Sequence, residues 1–596
     1  MQRSGDGRSA VGRPGGAAGG VMIGRAEWRA GGGPGVAAPA ARLGLPATSG
    51  RAGPSARLQG RGPTFMSFAR PRRLLPAAAL AAAASLLLAG CTSGGPAPAA
   101  SGTPGGSAAG QAPVPAGVTP LEPLPTDQPA GLAPYYAQQL SWKACGADFE
   151  CTSFKVPLDY AHPGDGHDIE LSAIRKPATD KAHRQGSLLL NPGGPGGSAV
   201  DYVQSVASRY DANVRAGFDL VGFDPRGVGK SAPITCLTGE RMDAYAATDI
   251  TPDDQSEIDA LVAVDKEFAA GCSAKAGELL GHVSTVEAAR DMDVLRALVG
   301  DQKLAYVGKS YGTFLGATYA GLFPSKVGKM VLDGAMDPSL DSVTGNLTQA
   351  GGFETAWTAF AKDCVKREDC PVGRTEQEAG DKLAALFKKI DAQPLPTDTN
   401  RPLTEAQALT GVAEAMYAEA LWPHLRTALA TAQAGNGSGL LQLADEYYSR
   451  SEDGSYDNLM YANMAVNCVD LPASFADPAA VAAAVPSFEK AAPHFGRDMA
   501  WMALGCAYWP VKATGAPHTV RAAGSAPIVV VGTTRDPATP YAWAKSLAGQ
   551  LEAGRLLTYE GDGHTAYGRH NACVDEAVNR YLLGGAAPEN GKVCKD

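Results

Sequence analysis

A serine flanked by two glycines stands where a strand pattern gives way to a helix pattern. The stretch is Gly308-Lys309-Ser310-Tyr311-Gly312, with an apolar run over 303–307 before it and a helical spacing over 313–322 after it. This G-x-S-x-G pattern is typical of a nucleophile elbow, a strained turn that exposes the serine and leaves no room for a side chain on either flank. Because the pattern is common by chance, its meaning depends on the rest of the chain.

Short apolar runs on both sides of the elbow alternate with helical patterns. This alternation predicts βαβ units and a parallel sheet, preceded by an antiparallel hairpin around the turn at 163–166. The predicted strands of the sheet are residues 187–190, 218–223, 303–307, 327–332, 527–531 and 555–559. We therefore expect an α/β-hydrolase fold, a mostly parallel sheet flanked by helices, with an inserted helical cap.

A glycine-rich loop follows the first of these strands. Residues 191–198 read NPGGPGGS, which lets a backbone turn its N–H groups toward a bound oxygen. We expect an oxyanion hole formed by the backbone N–H of Tyr311 and that of Gly193 or Gly194. A loop that is merely flexible is the alternative. A second glycine-rich turn, DPRGVGKS at 224–231, lacks the earlier glycine of a phosphate-binding loop and does not predict nucleotide binding.

An acid and a histidine follow two later strands at the same edge of the predicted sheet. Asp536 comes after the strand at 527–531, and His564 comes after the strand at 555–559. The order Ser310, Asp536, His564 is the order of α/β-hydrolases. Serine needs a nearby base, and a carboxylate fixes the tautomer of that base. Acyl transfer by these residues requires no metal ion or other cofactor.

Other residues compete less well for these roles. Asp562 is too close in sequence to His564 to be the usual acid. The remaining histidines precede the core strands, lack a position at a strand end, or lie beyond the last loop: His162, His167, His183, His282, His424, His494, His518 and His570.

The sequence divides into six segments by composition and periodicity. We expect an upstream extension before the true start at Met66, a lipoprotein signal with lipidation at Cys91, a Pro/Ala/Gly-rich tether, and a hydrolase core interrupted by a helical cap. These segments are residues 1–65, 66–90, 91–131, 132–337 with 516–596 for the two parts of the core, and 338–515 for the cap. The protein would be exported as a cell-surface lipoprotein or a secreted protein, and it would meet the membrane only through the lipid on Cys91.

Charge and cysteine content support export and exclude one class of partner. The first 90 residues carry a net charge of +10 and the whole chain −9, so the rest carries −19, which argues against nucleic acid. Without Cys91, ten of the 11 cysteines remain, and their spacing favours disulfides over metal binding. We hypothesise that sequence neighbours pair: 145–151, 236–272, 364–370, 468–506 and 573–594.

Several motifs together resemble the secreted bacterial tripeptidyl aminopeptidases, relatives of the prolyl aminopeptidases. The resemblance spans about residues 132–594 and is carried by NPGGPGGS, DPRGVGKS, ARDMDVLRALVG, YVGKSYGTFLGATYAGLFP, VLDGAMDP, VGTTRDPATP and GDGHTAYG. It implies an α/β-hydrolase with a helical cap, acting as a serine exopeptidase that removes short peptides from free N-termini. Ser310, Asp536 and His564 fall on that family's triad positions. Asn191-Pro192 departs from the prolyl aminopeptidase pattern, which has a histidine there, and makes strict single-proline specificity less expected.

An aminopeptidase must also bind a protonated α-amino group, for which a carboxylate near the serine is suited. Candidates in or near the cap are Asp470, Glu354 and Asp457. Asp470 is favoured because a disulfide at Cys468 would hold it rigidly.

Two further functions remain open at this point. An esterase or lipase would use the same triad, and a lipid-anchored surface protein could keep only the scaffold. Peptide substrates are the partners expected under the main hypothesis, and the sequence is silent on oligomeric state.

Overall fold

A computed structural model describes residues 118–125 and 129–595. The predictions for residues 1–65, for the signal at 66–90, for Cys91 and for most of the tether fall outside the described residues. The strands are β1 Thr119–Pro120, β2 Lys143–Ala144, β3 Glu150–Pro157, β4 Asp168–Lys176, β5 Gly186–Asn191, β6 Phe218–Phe223, β7 Leu304–Lys309, β8 Val327–Asp333, β9 His518–Thr519, β10 Ile528–Arg535, β11 Gly554–Asp562 and β12 Lys592–Lys595.

The α-helices alternate with these strands and also fill the long segment between β8 and β9. They are α1 Ala133–Tyr136, α2 Ala199–Val206, α3 Ala212–Gly217, α4 Gly239–Ala247, α5 Gln255–Ala276, α6 Thr285–Leu298, α7 Tyr311–Leu322, α8 Ser342–Cys364, α9 Glu376–Ala392, α10 Glu405–Met416, α11 Trp422–Gln433, α12 Ser438–Tyr447, α13 Leu459–Asp470, α14 Pro478–Ala491, α15 Gly496–Met502, α16 Tyr541–Gln550 and α17 Ala572–Leu582.

One large sheet forms the centre of the described chain. Its ten strands run in the order β12-β11-β10-β8-β7-β5-β6-β4-β3-β2. Pairings from β12 through β6 are parallel, and β4, β3 and β2 add an antiparallel edge. The α/β-hydrolase expectation is confirmed. The ends of β11, β10, β8, β7, β5 and β6 lie side by side along one edge, so the loops that follow them meet there.

Both faces of this sheet are covered, which explains the uninterrupted apolar runs in its strands. In β5, Leu188 and Leu190 pack into one apolar layer and Leu189 into the layer on the opposite face. Tyr306 and Val307 divide in the same way in β7. A strand buried on both sides has no polar face to alternate with, so its sequence shows a block of apolar residues.

The all-helical segment from α8 to α15 has an apolar core of its own. Phe360, Leu409, Leu425 and Phe488 belong to that core, and Leu261 of α5 joins it from outside the segment. Helix α13 differs from its neighbours, because its apolar side packs into the core of the sheet instead. Helices α10 and α11 follow each other closely and are separated by a short turn at Glu419–Leu421.

The predicted tether is shorter than expected at its C-terminal end. We expected the fold to begin near Leu132, but β1 already pairs with β9, and the N–H groups of Leu121 and Leu124 donate to the carbonyls of Thr519 and Leu322 at 2.8 and 3.0 Å. Both leucines pack against the core of the sheet. Two apolar side chains in a Pro-rich tract are enough to bind it to the core, although the composition of the tract is that of a linker.

The ten described cysteines form five disulfides. They join Cys145 to Cys151, Cys236 to Cys272, Cys364 to Cys370, Cys468 to Cys506, and Cys573 to Cys594. The pairing of sequence neighbours is confirmed. Five disulfides indicate an oxidising, extracytoplasmic environment. Among the described residues, no helix combines the length and the apolarity needed to cross a bilayer.

A buried ion pair holds the loop after β6. The guanidinium of Arg226 donates to both carboxylate oxygens of Asp291, at 2.7 and 2.8 Å, and neither side chain is exposed. Tyr160 donates a further hydrogen bond to Asp291 at 2.8 Å. These contacts fix the DPRG turn against α6.

We expect Asp291→Asn to lower the free energy of unfolding by about 3–5 kcal/mol, because the buried guanidinium loses the carboxylate that accepts two of its hydrogen bonds and keeps the charge of Glu287, 3.4 Å away. Urea unfolding followed by circular dichroism measures this. Glu267→Gln is the control, since it breaks the exposed pair between Arg241 and Glu267 and should leave the midpoint almost unchanged. Equal effects of the two variants would contradict the structural role of the buried pair.

Candidate functional site

Ser310 occupies a strained turn between β7 and α7. Its backbone has φ 55° and ψ −127°, a region that residues with a side chain rarely adopt. The Ser310 N–H donates to the Asp333 carbonyl at 2.9 Å, and the Thr313 hydroxyl donates to the Ser310 carbonyl at 2.6 Å. These hydrogen bonds hold the serine in the conformation of a nucleophile elbow.

Steric crowding explains why both residues that flank the elbow, Gly308 and Gly312, are glycines. A Cβ on Gly308 would lie 2.2 Å from the carbonyl oxygen of Gly312. A Cβ on Gly312 would lie 2.7 Å from Oδ1 of Asn191, at the end of β5. Neither position can accept a larger residue without moving a neighbouring strand or loop.

Asp536 and His564 are in direct contact. The imidazole Nδ1 of His564 lies 2.9 and 3.0 Å from the two carboxylate oxygens of Asp536. The Asp536 side chain is fully buried and also accepts backbone N–H groups from Ala538, Thr539 and Thr565. This carboxylate therefore fixes the ring and directs Nε2 away from itself. Nε2 has no hydrogen-bond partner among the described residues.

One dipeptide, Asp333-Gly334, contacts both the serine and the histidine. The Asp333 carbonyl accepts from Ser310, and a Cβ on Gly334 would lie only 3.1 Å from Cε1 of His564. No hydrogen bond joins Ser310 Oγ to His564 Nε2 in this structure, and such contacts often tighten only when substrate binds. The geometry suits a nucleophile, a base and an acid that orients the base.

The role of Asp333, at the end of β8, was not predicted from the sequence. Its buried carboxylate accepts the N–H groups of Ala566 and Tyr567, both at 2.9 Å. Lys309 donates to the Tyr567 carbonyl at 2.8 Å. Burial raises the pKa of Asp333, and the nearby Lys309 charge opposes that shift. The sequence feature that could have predicted this role is an acid at the end of the strand next to β7, within the motif VLDGAMDP.

The glycine-rich loop after β5 packs against the elbow. A Cβ on Gly193 would lie 2.5 Å from the Lys309 carbonyl oxygen, 2.8 Å from Ser310 Cβ and 3.0 Å from the Tyr311 nitrogen. The Gly193 N–H already donates to Oδ1 of Asn191 at 3.0 Å. Of the two glycines considered for the oxyanion hole, Gly193 thus has its N–H engaged in a hydrogen bond within the loop.

The helical segment covers the site from two sides. On the histidine side, the His564 N–H donates to the Tyr417 carbonyl at 2.8 Å, and the two rings meet edge to face with centroids 5.5 Å apart. On the loop side, Asn463 of α13 donates to the Pro195 carbonyl at 3.1 Å, and Asn458, directly before α13, donates to the Gly227 carbonyl at 2.7 Å.

The three acids expected to bind the substrate amine each interact with another group of the protein. Both carboxylate oxygens of Asp470 accept from Thr285, the backbone N–H at 2.7 Å and the hydroxyl at 2.5 Å. Glu354 pairs with His494 at 2.7 Å. Asp457 accepts the N–H of Leu459 at the start of α13. The structure thus gives each of these acids a partner within the protein.

Another acid, Glu414 on α10, is buried without such a partner. No hydrogen bond or ion pair engages its carboxylate among the described residues, and burial raises its pKa to about 8. It lies one helical turn before Tyr417 and interacts electrostatically with the hydroxyls of Tyr417 and Tyr447. Sequence patterns gave no signal for it, since Glu414 looks like any other acid of an amphipathic helix.

Two clusters of described residues have the composition of a metal site, Asp159 with His282 and Glu287, and Asp249 with Glu257 and Asp391. Neither includes a residue of the triad. Glu287 also lies 3.4 Å from the Arg226 guanidinium, which competes with a cation.

The chain is similar to several bacterial hydrolases. Residues 492–594 match the family model described as TAP-like protein. The serine protease Hip1 of Mycobacterium tuberculosis is 38% identical over 485 residues, which cover 77% of this chain and 92% of that protein. Carboxylesterase B of the same species is 40% identical over 484 residues, covering 78% and 91%. The tripeptidyl aminopeptidase of Streptomyces coelicolor is 33% identical over 479 residues, covering 76% and 86%.

We expect Ser310 to react covalently with a fluorophosphonate probe, with the adduct located by mass spectrometry of the digested protein. Gly193→Ala should slow this labelling by at least tenfold, because the new methyl group collides with the elbow. Gly281→Ala is the matched control, since a Cβ there meets nothing within 4 Å. Labelling of another serine, or unchanged labelling in Gly193→Ala, would contradict the geometry of the site.

Proposed function

The chain belongs to the tripeptidyl aminopeptidase-like family of α/β-hydrolases, and on that premise we propose that it is a serine exopeptidase that releases short peptides, tripeptides in the main, from free N-termini. The observation that carries the chemistry is the contact between Asp536 and His564 beside the strained turn at Ser310. Family similarity supports peptides as the substrate class.

The proposed mechanism is hydrolysis through an acyl-enzyme. His564 Nε2 takes the proton of Ser310 as Oγ attacks the scissile carbonyl, and Asp536 stabilises the imidazolium that forms. The N–H groups of Tyr311 and Gly194 hold the oxyanion. His564 then protonates the leaving amine, and the same histidine activates water to release the peptide. Protein groups supply every proton transfer in this scheme.

We propose that residues 338–515 act as a cap that limits how far a substrate extends beyond Ser310. Tyr417 closes the histidine side and α13 closes the side of the oxyanion loop. A closed end beyond the acyl site allows only the first few residues of a peptide to enter. This restriction favours cleavage near an N-terminus over cleavage within a folded chain.

Within that cap, we propose Glu414 as the carboxylate that binds the substrate's α-amino group. It is buried and unpaired, and it sits next to Tyr417, which itself contacts His564. Three extended residues span about 10 Å. Because the Tyr417 side chain lies between Glu414 and His564, this acid suits the N-terminus of a bound tripeptide better than that of a single bound residue. An ammonium group would supply the counter-charge that the protein does not.

A carboxylesterase is the second candidate function. The similarity to carboxylesterase B supports it, since esters and peptides use the same triad and oxyanion hole. The acidic groups buried in the cap favour a cationic peptide end over an apolar ester. A non-catalytic surface lipoprotein is the weakest alternative, because a complete set of triad residues would serve no purpose in it.

We further propose export of the protein through the signal at 66–90, with lipidation of Cys91 and residues 91–117 as the tether. Five disulfides in the described chain support export.

Free tripeptide chromogenic substrates of the Ala-Ala-Pro type should be cleaved, and the same peptides with blocked N-termini should be cleaved at least 100-fold more slowly in kcat/KM. Mass spectrometry of products from an unblocked peptide library gives the number of residues released.

Asp536→Asn should lower kcat by about 10⁴-fold, because the histidine loses its orienting acid. Equal cleavage of blocked peptides would contradict the exopeptidase function, and turnover of esters alone would favour the esterase.

Glu414→Gln should abolish the preference for a free N-terminus while leaving ester turnover unchanged. It should also raise thermal stability at pH 8. The folded-state pKa of Glu414, about 8, lies above its unfolded value, so stability is lost as pH rises between the two values, and glutamine removes that loss. Differential scanning fluorimetry at pH 5 and pH 8 measures this difference.

Glu405→Gln on the same helix is the matched control for Glu414→Gln. Burial also raises the pKa of Glu405, to about 7, but this acid hydrogen-bonds Thr251 away from the histidine. It should change stability in the same direction and leave the preference for free N-termini intact. Retention of that preference in Glu414→Gln would exclude Glu414 as the amine-binding group.

A further inference from the structure

The aromatic side chain of Tyr311, the residue after the nucleophile, ends in a chain of hydrogen bonds. Its hydroxyl lies 2.5 Å from the Thr285 hydroxyl, and the Thr285 hydroxyl lies 2.5 Å from Oδ2 of Asp470. Oδ1 of Asp470 accepts the Thr285 N–H at 2.7 Å. When Asp470 is ionised, its carboxylate only accepts, so Thr285 donates to Asp470 and Tyr311 donates to Thr285.

The three residues come from three different parts of the fold. Tyr311 begins α7 at the elbow, Thr285 begins α6, and Asp470 ends α13 in the helical segment. The end of α13 is itself firmly held. The disulfide between Cys468 and Cys506 lies two residues away, and the N–H groups of Thr514 and Gly515 both donate to the Val469 carbonyl.

The Tyr311 ring is buried in the core of the sheet, with its centroid 6.3 Å from that of Phe314. A cavity of about 10 Å³ is lined by Tyr311 together with Gly193, Ala288 and Val466. The hydroxyl is buried, and Thr285 is its hydrogen-bond partner in the structure, so a shift of the ring would leave a polar group unsatisfied.

We propose that Asp470, acting through Thr285, is a positioning residue that holds Tyr311 and so aligns the Tyr311 N–H with the oxyanion. This inference rests on the proposed acyl transfer at Ser310. The helical segment then contributes to chemistry as well as to substrate access, because an acid at the end of α13 sets the position of an oxyanion donor. Small displacements of such a donor weaken the stabilisation of the transition state more than the binding of substrate.

The test separates kcat from KM on p-nitrophenyl butyrate, a small ester with no amino group. Asp470→Asn should lower kcat about tenfold with KM changed less than about twofold. This loss is below the roughly 10²- to 10³-fold loss expected for complete removal of an oxyanion donor. Thr285→Val should reproduce the loss, and Thr285→Ser, which keeps the hydroxyl, should restore kcat.

A double-mutant cycle distinguishes a shared path from separate effects. Tyr311→Phe should lower kcat to a similar extent, and the double variant with Asp470→Asn should be no slower than the slower single variant. Asp477→Asn is the control, because it removes an N-cap of α14 in the same helical segment without reaching the elbow. It should leave kcat unchanged.

Three outcomes would overturn the proposal: additive losses in the cycle, unchanged kcat in Asp470→Asn, or a raised KM for free peptides alone. The last would assign Asp470 to the substrate amine instead. If Asp470→Asn fails to fold, Thr285→Val and Tyr311→Phe decide the question. Failure of the proposed function is seen separately, as wild-type turnover of the ester without turnover of free peptides.

Discussion

The arrangement of the site depends on Asp333, at the end of the strand next to the nucleophile. Its carbonyl accepts the N–H of Ser310, and its carboxylate accepts two N–H groups from the loop that follows His564. A positive φ at a serine costs about 1–3 kcal/mol, and hydrogen bonds to a charged acceptor contribute about 1.5–3 kcal/mol each. One residue therefore offsets the strain of the elbow and fixes the distance between nucleophile and base.

Buried acids in the helical segment have the opposite effect to Asp333, because their burial destabilises the fold. Glu414 and Asp498 approach Tyr447 from two helices, and burial raises the pKa of each to about 8. Oδ1 of Asp498 has no hydrogen-bond partner among the described residues. Groups with such perturbed pKa values are concentrated at functional sites. An exopeptidase that must recognise an ammonium group gives this cost a purpose.

Local rules predicted the positions of Ser310, Asp536 and His564 well, since all three lie at or just after strand ends. Ser310, Asp536 and His564 each follow an apolar run, and the order of the three is sufficient to place them at one edge of a parallel sheet. The environments of Asp470 and Glu414 were not predictable in that way. Asp470 looked rigid because of the nearby disulfide, which is correct, but only tertiary structure shows that its carboxylate points to Thr285. Likewise, burial of Glu414 arises from packing between helices that are distant in sequence.

The helical segment is not a lid resting on a finished active site. Helix α13 packs its apolar side into the core of the sheet, while Asn463 within it and Asn458 directly before it bind the loops after β5 and β6. Tyr417 meanwhile shares a backbone hydrogen bond with His564. A rigid-body opening would break contacts on both the oxyanion side and the histidine side, and it would disturb the groups that perform the chemistry.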